Sequence, residues 1–207
     1  MNSAREALAR LQEGNRRFAA AADTSNPFNV PTRQPHLTKR QDPTAIILGC
    51  SDARVPAEII FDQGLGDLFV IRVAGNIVSP SQVGSVEFAA ERFGTRLVVV
   101  LGHSECGAIL ATIEALQQPA SRSRNLLSIV DRVRPSVEDL LGTELAQDHD
   151  ALVRHAVRLN IRASADHLRH GSQVLEQLIR DDGLLVVGAE YSLETGEVDF
   201  FDGMPEG

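Results

Sequence analysis

The chain has 207 residues, 43% hydrophobic and 23% charged, with 28 acidic against 20 basic side chains and a formal net charge of −8. That length and balance suit one globular domain with a sizeable core, and they argue against disorder, collagen-like repeats and a coiled coil. The excess of acid opposes binding to nucleic acid, and no apolar run approaches the roughly 20 residues that span a bilayer.

In chain order, Ser3 followed by Glu6 has the form of a capping box, and Ala4, Leu8, Leu11 and Phe18 recur at helical spacing, predicting an amphipathic helix over residues 4–20. Its charged residues and lack of an apolar stretch are unlike a signal peptide, so a cytoplasmic location is expected. Residues 21–35 carry three prolines and little periodicity, as expected of a linker. Residues 1–35 are therefore expected to be a helix-and-linker arm that reaches a partner, and 36–207 a single domain. Within that domain, 44–49 is nearly all apolar, the pattern of a strand buried on both faces of a parallel sheet. A short helix follows at 56–62, a strand at 68–73, a helix at 82–93, a strand at 96–101 and a helix at 106–116. Residues 125–180 read as mostly helical, broken near Pro135, Gly142 and Gly171, and strands at 184–187 and 198–201 close the chain. The alternation predicts an α/β fold: a central, mostly parallel sheet of about four strands plus an edge strand, flanked by helices, with an N-terminal helical arm.

Both cysteines fall where such a fold places its ligands. Cys50 opens the run CSDAR directly after the first buried strand, and His103 and Cys106 bound HSEC directly after the third. Carboxyl ends of parallel strands line the ligand crevice of open α/β sheets. With Cys106 in the first turn of a helix, it and His103 can face one point. Two thiolates, an imidazole and a carboxylate form a set suited to tetrahedral Zn²⁺. Two other readings remain open at this point. Ser104 stands one residue short of a Gly-x-Ser-x-Gly nucleophile elbow, which offers a small serine hydrolase, although the fifth position is Cys106. A zinc or thiol redox-sensing protein without catalysis would also use Cys50 and Cys106.

CSDAR, then GDLFVIRVAGN (66–76), then GHSECG (102–107), together resemble the β-class carbonic anhydrases of bacterial type, over about residues 41–113. The resemblance implies reversible hydration of CO₂ to bicarbonate and a proton by zinc-bound hydroxide, with one Zn²⁺ per chain. It makes Cys50, His103 and Cys106 the zinc ligands, and Asp52 and Arg54 a dyad beside the metal, with Asp52 a fourth ligand in a closed form. It sets Gln41 facing the substrate, and Phe69, Ala74, Phe88 and Gly107 around a small apolar pocket, the two phenylalanines coming from a neighbouring subunit. A homodimer or a dimer of dimers is implied, with CO₂ and bicarbonate as small-molecule partners and neither nucleic acid nor membrane. Ala53 stands where the family usually has serine. Ile47 stands where some members have a tryptophan that binds a second, inhibitory bicarbonate, so that regulation is expected to be missing.

Overall fold

The computed structural model describes residues 3–20, 41–118 and 123–205. The expected linker at 21–35 lies outside the described residues. Five strands form one sheet: β1 (Ala45–Gly49), β2 (Leu68–Arg72), β3 (Leu97–His103), β4 (Leu185–Tyr191) and β5 (Val198–Asp202). Their spatial order is β2-β1-β3-β4-β5, parallel except for the antiparallel pair β4–β5. The predicted sheet is therefore observed, with β5 as its antiparallel edge.

Every residue of β1 and β3 is buried, because both faces of the sheet are covered. On one face Ile46, Leu48, Val98 and Val100 join a core with α3 (Pro80–Arg92), α4 (Gly107–Gln117) and α7 (His149–His170). On the other, Ala45, Ile47, Leu97 and Val99 pack with α1 (Ala4–Ala20) and α2 (Ala57–Ile60). Alternate residues of one strand thus serve two cores, which is why the strands read as continuous apolar runs. The break expected at Pro135 separates α5 (Arg124–Val133) from α6 (Pro135–Glu138). Gly171 separates α7 from α8 (Gln173–Asp182), whose N-terminus is capped by Ser172.

Several boundaries differ from expectation for physical reasons. The helix expected at 82–93 starts at Pro80, because proline fits a first helical turn where no N–H partner is needed. The third strand runs on through His103, since its pairing with β4 continues as far as His103↔Tyr191. Helix α1 begins with the capping box read from sequence: Ser3 N–H donates to Glu6 Oε2 (2.8 Å) and Glu6 N–H to Ser3 Oγ (3.2 Å). Its apolar face, however, is spent on the sheet of its own chain. Leu8 and Leu11 are buried there, and Gly14 lies so close to α2 that a Cβ would stand 1.9 Å from the Phe61 carbonyl oxygen.

The order β2-β1-β3 sets the place of the chemistry. From β1 the chain passes to β2 on one side and then to β3 on the other, so the connections diverge between β1 and β3. Ligand crevices of open α/β sheets form at such a point, beyond the carboxyl ends of the strands.

Candidate metal centre

Cys50 follows the last residue of β1, His103 ends β3, and Cys106 is the N-cap residue of α4. Cys106 therefore precedes the first helical turn instead of lying in it. Its extended backbone (φ −70°, ψ 116°) and the left-handed backbone of Glu105 (φ 55°) fold the HSEC segment back towards β1. The three candidate ligand atoms all lie within 4.8 Å of one another, and all three residues are buried.

The donor set tests well for a metal. Cys50 Sγ and Cys106 Sγ are 4.0 Å apart, against about 3.8 Å for two sulfurs on a tetrahedral zinc. His103 Nδ1 lies 2.8 Å from the Ser104 carbonyl, which fixes the hydrogen on Nδ1 and leaves Nε2 with its lone pair. That Nε2 is buried and has no hydrogen-bond partner among the described residues. A buried, unpaired nitrogen facing two sulfurs is costly without a ligand and well used with one. Hydrogen bonding from the Cys106 thiol, joined by the Gly75 N–H, pulls the Cys50 thiol down to about 4 against the cost of its burial. Donation to Cys50 and burial push the Cys106 thiol up. The pocket therefore already favours one thiolate, the form that binds metal.

Asp52 stands beside this group. Arg54 grips it as a fork, Nε to Oδ1 at 2.9 Å and Nη2 to Oδ2 at 2.7 Å, and the Arg54 N–H adds a third bond to Oδ1 at 2.9 Å. The Arg54 guanidinium holds the Asp52 carboxyl well below the usual carboxylate range. Asp52 Oδ2 is 3.9 Å from His103 Nε2. Both carboxylate oxygens are engaged by Arg54 in this arrangement, and the metal-ligand role that the resemblance gives Asp52 belongs to a closed form.

The remaining expected site residues are more scattered. Ala74 is half-buried in a single helical turn, Ala74–Asn76, after β2. Gly107 is exposed at the start of α4, and a Cβ built on it meets nothing within 4 Å. Gln41 is exposed ahead of β1. Phe69 is paired with Ile46, four residues before Cys50, which sets it about 13 Å back along the strand from the ligand crevice. It packs with Phe88 and Phe93, and Phe88 is 53% exposed.

Sequence reasoning missed three supports. Arg72, at the end of β2, donates to the carbonyls of Cys50 and Asp52 and so holds the ligand loop from below. Gly75 turns its N–H onto Cys50 Sγ (3.4 Å) with φ 73°, and a Cβ there would stand 2.9 Å from the Ala108 Cβ. Both lie in the run LFVIRVAGN, and an arginine closing an otherwise apolar strand was the available signal. The third is Ser104. Its hydroxyl accepts from the Leu193 N–H (3.0 Å), and the His103 ring contacts its carbonyl, so the nucleophile–base pair of a serine hydrolase is not assembled here.

A family model described as carbonic anhydrase matches residues 45–198. The chain belongs to the carbonic anhydrase family. A carbonic anhydrase of Mycolicibacterium smegmatis is 38% identical over 191 residues, covering 91% of this chain and 89% of its own length. Among solved structures, a Coccomyxa β-carbonic anhydrase in complex with acetazolamide superposes with a TM-score of 0.71 at 27% identity, covering 95% of this chain and 89% of that one. One of two tetrameric β-carbonic anhydrases of Sordaria macrospora gives a TM-score of 0.73 at 24% identity, over 91% of this chain and 93% of the other. The fold and family are those of the β class.

Proposed function

We propose that this chain is a zinc enzyme interconverting carbon dioxide and bicarbonate, with one zinc ion per chain held by Cys50, His103 and Cys106. The observation that carries this is the convergence of three buried ligand atoms at the β1–β3 crevice, in a member of the carbonic anhydrase family. Zinc bound there supplies Lewis acidity, which lets water lose a proton near neutral pH.

The chain's own groups do the rest. Arg54 keeps Asp52 ionised beside the centre, where it can accept a hydrogen bond from the attacking water and orient it. Carbon dioxide has no charge to grip, so its seat should be small and apolar with one or two donors. Ala74 forms wall, the bare Gly107 leaves room, and the Gln41 amide can donate to an oxygen of CO₂ or bicarbonate. Phe69 and Phe88 complete the pocket of a second copy, because within one chain they stand far back from its own crevice. The exposure of Phe88 supports that role, since a large apolar side chain at a surface patch gains by being covered. Self-association as a homodimer or dimer of dimers follows, in keeping with the tetrameric Sordaria proteins. No helix among the described residues is long and apolar enough to cross a membrane, and we place the enzyme in the cytoplasm, without nucleic-acid or membrane partners.

Stopped-flow CO₂ hydration by zinc-loaded protein tests the proposal. Hydration should be far faster than with Cys106→Ser, which should retain little zinc because a hydroxyl is a poor replacement for thiolate. Equal rates for the two proteins would refute it.

A further inference from the structure

A run of hydrogen bonds links the N-terminal helix to the imidazole of the metal centre. Asn15 lies on the buried face of α1, among Ala4, Ala7, Leu8, Leu11 and Gly14. Asparagine is a poor helix former, and here none of its side-chain bonds serves the helix. Its amide donates to the carbonyls of Ile60 (3.2 Å) and Gly196 (2.9 Å), and its oxygen accepts the Val198 N–H (2.8 Å). Gly196 lies in the turn between β4 and β5 and Val198 opens β5; the turn is closed by Ser192 N–H to the Glu197 carbonyl and Gly196 N–H to the Ser192 carbonyl. The other side of that turn reaches the centre. Leu193 N–H donates to Ser104 Oγ (3.0 Å), and Ser104 N–H donates to the Tyr191 carbonyl (3.0 Å). The Ser104 carbonyl then holds His103 Nδ1 at 2.8 Å.

We infer that Asn15 and Ser104 are positioning residues for the His103 ring, with the β4–β5 turn as the strut between them. This rests on the zinc function proposed above. The direction of Nε2 depends on where the Ser104 carbonyl stands. Ser104 lies one residue past the last rung of the β3–β4 ladder, between His103 and the left-handed Glu105. There the bonds to Tyr191 and Leu193 take over from the ladder. Outer partners of metal-bound histidines fix tautomer and orientation in this way, and losing one commonly costs tenfold or more in metal affinity.

The test compares zinc-loaded wild type with Ser104→Ala, Ser104→Thr, Asn15→Ala and, as a control on the same helix face away from the turn, Leu8→Ala. Zinc release to a chromogenic chelator and the ¹⁵N signals of the His103 ring in zinc-free protein are the readouts. Ser104→Ala and Asn15→Ala should release zinc about tenfold faster and let the ring exchange between tautomers. Ser104→Thr should restore both, and Leu8→Ala should lower the melting temperature without changing either. Should Asn15→Ala fail to fold, Ser104→Ala with its threonine rescue decides. Unchanged release and an unchanged tautomer in Ser104→Ala would overturn the strut, as would equal acceleration in Leu8→Ala. A wild-type chain that takes up no zinc would instead sink the proposed function, and the strut would then stand or fall on the ring tautomer.

Discussion

Gly14→Ala sets helix propensity against packing, and the magnitudes decide between them. In the interior of α1, alanine should stabilise the helix by about 1 kcal/mol relative to glycine. The added Cβ, however, would stand 1.9 Å from the Phe61 carbonyl oxygen, 2.8 Å from the Phe61 carbonyl carbon and 3.0 Å from Gln63 Nε2. The two nearest atoms are backbone, so no rotamer change relieves the clash and α1 must shift outward. That shift loosens Leu8 and Leu11, both buried against the sheet, and stretches the bonds of Asn15. Overpacking of this kind costs about 1–3 kcal/mol, and a backbone clash belongs at the upper end. The net loss should be about 2 kcal/mol, which lowers the melting temperature of a domain this size by about 4–8 °C. Scanning calorimetry of wild type and variant reads this directly. A variant as stable as wild type, or more so, would mean that α1 does not sit on α2 in solution, and the seat assigned to the helix would be wrong.

Arg54→Lys should keep its zinc content but lose most CO₂ hydration, because an ammonium cannot reproduce the two-bond grip on Asp52; full activity would remove the dyad from the mechanism. Asp52 should remain ionised in metal-free protein at about pH 4, where an ordinary aspartate is half protonated. Since its folded pKa is depressed, its stabilising contribution is complete above the ordinary carboxylate pKa and is lost progressively as pH falls from there through the lower folded value. A carboxyl ¹³C titration with an ordinary midpoint would contradict this. Phe88→Asp should weaken self-association in sedimentation and lower hydration in parallel, whereas a fully active monomer would show that the pocket needs no second copy. Gly107→Ala should fold normally, since its Cβ meets open space, yet raise KM by narrowing the substrate's seat; unchanged kinetics would take Gly107 out of the pocket.

Strands β1 and β3 and the places of Cys50 and His103 were legible because burial on both faces leaves an unmistakable apolar run, which Cys50 follows in one case and His103 ends in the other. The capping box was legible because it is local. What escaped depends on contacts distant in sequence. An amphipathic helix declares that one face is covered but not by what; the leucines of α1 close on the sheet of their own chain. Asn15 reads as a polar interruption until the β4–β5 turn is brought against it. Arg72 and Gly75 act on Cys50 through a neighbouring strand and a backbone N–H, for which residue type is weak evidence. Cys106 read as part of a helix because residues 106–116 are largely apolar, while the structure uses it one position earlier, to cap α4.

Between Cys50 and His103 the chain makes an excursion through α2, β2 and α3 before it returns. The two ends meet because β1 and β3 lie side by side, from Ile46↔Val98 to Gly49↔Leu101. Separation along the chain and separation in space are thus governed by different parts of the molecule. Residues added in the loop at 62–67 lengthen the interval between the motifs and leave the ends of both strands where they are. A slip of β3 by one residue would carry His103 about 3.3 Å along the sheet and turn it to the opposite face. Motif spacing in such a fold is free to drift while the centre persists, and the quantity a redesign must hold constant is the offset between Gly49 and Leu101.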